Sequence, residues 1–135
     1  MKLFWIFVIV AAAFLFPKPA LAAFARTPIL MYHYIGNNPN PKDLARNRLS
    51  VSPDRFEAQM GWLAQNGYTP ITLDTLWGIY NGKASSPAKP VVLTFDDGYI
   101  DFYTTAFPIM RKYGFRSVSF IPTGLVGGGY YMNWD

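Results

Sequence analysis

The segment Val91-Val92-Leu93-Thr94-Phe95, closed by Asp96, Asp97 and Gly98, restricts this chain more than any other. A run of β-branched and aromatic residues with no polar alternation is expected of a parallel strand covered on both faces. Helical and strand-like segments alternate around it at the spacing of parallel βα units, so the fold class is α/β. Such a sheet places its ligand site beyond the carboxyl ends of the strands, where Asp96 and Asp97 stand.

The neighbouring elements are legible from start and stop signals. Pro28 to Ile35 reads as one buried strand, apolar and aromatic on both faces, and Gly36 to Pro41 reads as a loop. Ser52 as N-cap, Pro53 at the first helical position and Val51 placed to staple onto Phe56 open a helix that runs to about Asn66. Phe56, Met60 and Leu63 form its inward stripe, and Gly67 supplies the left-handed residue after it. A short strand at Ile71 to Leu73 leads into a helix over Asp74 to Tyr80, and Lys83 to Pro90 forms a linker. A helical turn and helix cover about Tyr103 to Tyr113, with Pro108 opening the helix proper, because an interior proline would remove a backbone bond. Gly114 closes that helix, and Ser117 to Ile121 forms a last short strand.

The amino terminus has a different character. Lys2, an apolar run from Leu3 to Phe16, and the small residues Ala20 and Ala22 have the layout of a secretory signal peptide spanning residues 1–22. The apolar run makes a helix of about 21 Å, short of a hydrocarbon core of about 30 Å. Export to the periplasm, cell envelope or extracellular space is therefore expected, with membrane contact only through this segment before cleavage. The mature domain would run over residues 23–135. Of the 12 basic residues, Lys2 and Lys18 leave with the signal, so ten face the 8 acidic ones. That near-neutral balance, with no basic block, makes nucleic acid an unexpected partner. With no cysteine the chain forms no disulfide and has no thiol nucleophile.

Two adjacent aspartates point to opposite sides of an extended strand. At a strand end followed by Gly98, a sharp turn can bring both to one side. Carboxylates held that close repel unless one is protonated, water screens both, or a cation sits beside them. A cation would use one as ligand and leave the other as a base for the water it acidifies. An ordinary strand-end Asp-Gly turn is the competing explanation.

Thr94-Phe95-Asp96-Asp97-Gly98-Tyr99 after a hydrophobic strand resembles the first motif of the polysaccharide deacetylases, the NodB homology domain of carbohydrate esterase family 4. Pro28-Ile29-Leu30-Met31-Tyr32-His33, the helix from Phe56 to Gly67 with Tyr68, and Tyr103 to Gly114 with Phe107-Pro108 are similar, more narrowly, to the branch that deacetylates poly-N-acetylglucosamine. The resemblance covers nearly all of Pro28 to Asp135. It implies the amino-terminal portion of a distorted (β/α) barrel, incomplete in this chain. It further implies a hydrolase that removes N-acetyl groups from an amino-sugar polysaccharide. By the same resemblance Asp96 is the general base, Asp97 a ligand of a divalent metal ion (zinc or similar), and the backbone N–H of Tyr99 an oxyanion donor. His33 takes a substrate-side or supporting role.

The chain departs from the family pattern at one place. The second motif, His-Ser/Thr-x-x-x-His or similar, which supplies two further ligands, is missing, and His33 is the only histidine. The remaining metal ligands are therefore absent, and the expectation is a truncated, inactive part of the enzyme. The alternatives are a non-catalytic saccharide-binding remnant or a different α/β domain whose acids hold a cation for phosphoryl chemistry. A core histidine bonded to backbone is the bland explanation of His33. Gly127 to Gly129 reads as a flexible loop, since no Gly-Lys-Ser/Thr follows. Tyr130, Tyr131 and Trp134 fit core packing better than a sugar-stacking platform.

Overall fold

A computed structural model describes residues 27–135. In chain order the strands are β1 (Ile29–Tyr32), β2 (Tyr34–Ile35), β3 (Ser50–Val51), β4 (Thr69–Pro70), β5 (Pro90–Phe95) and β6 (Val118–Ser119). The α-helices are α1 (Leu44–Leu49), α2 (Pro53–Gln65), α3 (Leu73–Tyr80) and α4 (Phe107–Lys112), and a π-helical turn at Phe102–Ala106 leads into α4. The expected signal peptide at 1–22 lies outside the described residues. Among the described residues no helix is long and apolar enough to cross a membrane.

Every side chain of β5 is buried, as its uninterrupted apolar sequence requires. β1, β4 and β6 all pair with it in parallel. The Val92 and Asp96 amides donate to Pro28 and Tyr32 on the β1 side, while the Val91 and Phe95 carbonyls accept from Ile71 and Phe120 on the other. β4 and β6 therefore share the edge opposite β1, one at the start of β5 and one at its end. Alternation along β5 sorts the core into two clusters. Val91, Leu93 and Phe95 pack with Phe56, Met60 and Leu63 of α2 and Ile109 and Met110 of α4. Val92 packs with Ile71, Leu76 and Ile79.

Several helix signals hold. Gly67 and Gly114 follow α2 and α4 with φ of 71° and 65°, the left-handed conformation that stops a helix without a Cβ penalty. Pro108 sits in the first turn of α4, and the preceding turn takes the wider π form. Ser52 differs from expectation. Its backbone carbonyl accepts from the Phe56 amide at 2.9 Å, but its side chain makes no capping bond.

The first strand is also corrected. It breaks at His33 into β1 and β2, and Ile29 and Met31 are 53% and 63% exposed, so only one face of β1 is buried. The short strand expected at Ile71 to Leu73 lies two residues earlier, at Thr69–Pro70. The cause is local: the Thr72 hydroxyl accepts from the Thr75 amide at 3.2 Å, so the chain is already entering α3. Helix α1 has no counterpart in the sequence reading because none of its residues is buried and it shows no apolar stripe.

Candidate active site

β5 ends at Phe95, and Asp96 and Asp97 follow at the carboxyl edge of the sheet. Asp97 has φ of +70° and Gly98 has φ of +67°. The turn thus begins one residue before the glycine. Aspartate is among the few residues with a Cβ that tolerate the left-handed region, because its short carboxylate can bond locally. Two successive left-handed residues reverse the alternation of the strand, and both carboxylates line one cleft of about 670 Å³ with Ile29, Met31, Thr94 and Phe120. Gly98 is held to its type by close approach as well, since a Cβ there would meet Ile121 Cγ2 at 3.1 Å.

The break in the first strand serves this site. The bend at His33 brings its Nε2 to 3.9 Å from Asp96 Oδ2. Both are partly exposed, at 17% and 28% of side-chain area, so the pair is open to solvent and substrate. The three expected polar side chains at this end of the sheet are therefore adjacent.

Tyr99 forms an antiparallel bridge with Tyr131. The flanking bonds run from the Ile100 amide to the Tyr130 carbonyl and from the Met132 amide to the Gly98 carbonyl. In this kind of pair the bridged residue's own N–H points away from the partner strand. Among the described residues no backbone carbonyl takes the Tyr99 N–H. Burial and the neighbouring Tyr34 push the Tyr99 phenol above its ordinary range, so the ring remains neutral.

Three further placements were not visible in the sequence or run against it. Tyr130 and Trp134 are 72% and 75% exposed, which overturns the core assignment; only Tyr131, stacked on Tyr99 with ring centres 5.2 Å apart, is packed. Arg46 lies over the Tyr34 ring, and no motif pointed to it. Asp101 has a buried Oδ1 without a hydrogen-bond partner, and burial raises its carboxyl above the ordinary value.

The residues present do not make a metal site by themselves. Among the described residues no three His, Cys, Asp or Glu side chains come together to hold a cation, and residues 1–26 contain none of these types. Asp96, Asp97 and His33 offer two carboxylates and one imidazole, fewer protein groups than the four of a closed site.

Comparison with known proteins places this geometry. The polysaccharide deacetylase family model matches residues 83–130. YxkH of Bacillus subtilis (strain 168), which carries a polysaccharide deacetylase name, is 35% identical over 108 residues, covering 80% of this chain and 36% of its own length. The poly-beta-1,6-N-acetyl-D-glucosamine N-deacetylase of Escherichia coli (strain K12) is 40% identical over 70 residues, covering 52% of this chain and 10% of its own length. Among solved structures the Streptococcus pyogenes deacetylase PplD in complex with acetate superposes with a TM-score of 0.69 at 34% identity, covering 79% of this chain and 48% of that one. The chain thus spans about a third to a half of YxkH and PplD, and its α/β arrangement reproduces part of the PplD fold. Over the residues these matches cover, the chain is similar in sequence and fold to the polysaccharide deacetylases.

Proposed function

We propose that this chain carries the carboxylate half of an N-deacetylase site that acts on an exported polysaccharide of the poly-N-acetylglucosamine kind. The observation behind it is the pair of left-handed residues that turns Asp96 and Asp97 into one cleft beside His33. Hydrolysis of an acetamide needs a base for water, a donor for the tetrahedral oxyanion, and a proton for the departing amine. Asp96 is the base, accepting the proton of the attacking water. The Tyr99 N–H is the oxyanion donor. The proton that Asp96 takes from the water passes to the departing amine as acetate and a free amine form, and His33, 3.9 Å from Asp96, stands on the substrate side.

The family generally depends on a divalent cation, zinc or similar. Asp97 is the one family-type ligand in this sequence, so the other ligands are supplied by residues that this sequence does not contain, and the 135 residues alone are an inactive part of the enzyme. Cleavage after Ala22, with the domain starting at residue 23, fits a polymer outside the cytoplasm.

The test is acetate release from a β-1,6-linked N-acetylglucosamine oligomer with divalent metal added. The polypeptide of the complete reading frame is compared with residues 27–135. Turnover by the former and none by the latter is expected. A reading frame that stops at Asp135 and a product that binds the oligomer without cleaving it would instead favour the non-catalytic saccharide binder.

A further inference from the structure

The turn that presents Asp96 and Asp97 is held from the side by a column of four side chains drawn from four separate segments. The Arg46 guanidinium carbon lies 4.3 Å from the centre of the Tyr34 ring. The Tyr34 and Tyr99 ring centres are 4.0 Å apart with planes at 28°, and Tyr99 and Tyr131 are 5.2 Å apart at 21°. At these separations Arg46 and Tyr99 cannot occupy the same face of Tyr34. The order is therefore Arg46, Tyr34, Tyr99, Tyr131, with Tyr34 clamped between a cation and a ring. A guanidinium stacked on an aromatic face is attracted by the ring quadrupole, more strongly as water is removed.

Arg46 is tied to the same segment a second time. Its positive charge acts on the Asp101 carboxyl, two residues beyond Tyr99, against the effect of burial. Both Arg46 Nε and Asp101 Oδ1 are buried without a direct hydrogen-bond partner. The Asp101 carboxylate also lies beside Gly36, where a Cβ would stand in ordinary contact with Oδ2 at 3.7 Å. Arg46 itself is fixed by α1, whose N-cap Asp43 accepts from the Arg46 amide at 3.0 Å, and the Ser50 hydroxyl donates to the Arg46 carbonyl at 2.7 Å. A six-residue helix with no buried residue contributes little to the core.

We propose that Arg46 is a positioning residue: by stacking on Tyr34 it clamps Tyr99 and so fixes the Asp96–Tyr99 turn, with its two carboxylates and its free amide. The proposal rests on the deacetylase reading for its purpose, because an oxyanion donor must sit within a few tenths of an ångström of its place to act in the transition state. It does not rest on that reading for its geometry.

The experiment uses the protein of the complete reading frame with Arg46→Met, which keeps the stem and removes the cation, and Arg46→Lys, which keeps the charge without the planar group. Residue-resolved amide exchange is read at Ile100 and Met132, whose bonds flank Tyr99, and at Val92 and Ile71 in the sheet. Acetate-release kinetics are measured on the same samples. In Arg46→Met the Ile100 and Met132 amides should exchange about tenfold faster with the sheet amides unchanged. In the same variant kcat should fall at least about tenfold at nearly constant KM. Arg46→Lys should fall between the two. Unchanged exchange at Ile100 and Met132, or equal acceleration in the sheet, would overturn the proposal. Absence of acetate release from the unsubstituted protein would overturn the deacetylase reading, while the exchange data still decide the role of Arg46.

Discussion

Asp97 holds a left-handed backbone with a side chain attached, at a φ of +70° that costs roughly 1 kcal/mol for a residue with a Cβ. Such strain persists where the surroundings impose it, here through the Asp96 amide bonded to Tyr32 on one side and the Gly98 carbonyl bonded to Met132 on the other. The placement of the two acids was legible in the sequence, because a glycine after an apolar strand permits the turn that brings both to one side. The nearness of His33 was not, since it depends on a bend that an apolar run gives no reason to expect. Arg46 and Asp101 were invisible for a related cause: their partners are rings and burial from distant segments, and no local spacing encodes them. Asp101 also makes a pH-dependent contribution. Its folded-state carboxyl is raised above the ordinary value of 3.8, so the folded protein keeps a proton that the unfolded chain has lost. Folding stability therefore falls as pH rises from the ordinary value through the raised one, and the loss is complete above it. Urea midpoints of Asp101→Asn measured from about pH 4 to about pH 7 should lack that falling limb. An identical pH profile in the variant would show that Asp101 does not titrate in the folded state as described.

At the scale of elements, β5 was read correctly because burial on both faces leaves a pattern that needs no context. The stripe of α2 was equally readable. Phe56, Met60 and Leu63 are its buried residues, and Phe56 packs edge-on against Tyr32 at 5.1 Å. Truncating Phe56 to alanine removes a fully buried ring and should cost about 3–5 kcal/mol, seen as a lower urea midpoint with the slope unchanged. A loss under about 1 kcal/mol would mean that α2 is not packed on the sheet as described. The elements misplaced or missed share one feature. β2, β3 and β4 are two residues each, fixed by tertiary pairing with little sequence of their own to mark them, whereas β6 falls inside the strand expected at Ser117 to Ile121. Helix α1 escaped because its stabilising bonds are capping and loop contacts, which periodicity does not report.

For the whole molecule, the two faces of the sheet are unequally covered. The face built from Val91, Leu93 and Phe95 lies under α2 and α4, whereas Ile29, Met31, Phe120 and Ile121 remain 53%, 63%, 50% and 42% exposed around the Asp96–Asp97 cleft. An apolar surface of this kind favours association. Residues 27–135 alone should sediment above monomer mass, and a monomer with one sharp unfolding transition would contradict that. The most direct measurement takes the protein of the complete reading frame, Asp96→Asn and Asp97→Ala, and determines bound metal and acetate release on the same samples. Asp96→Asn should retain the metal and lose at least about a hundredfold in turnover, as expected on removing a general base. Asp97→Ala should lose both. Equal metal content and equal activity in the two variants would contradict the division of labour between the adjacent carboxylates.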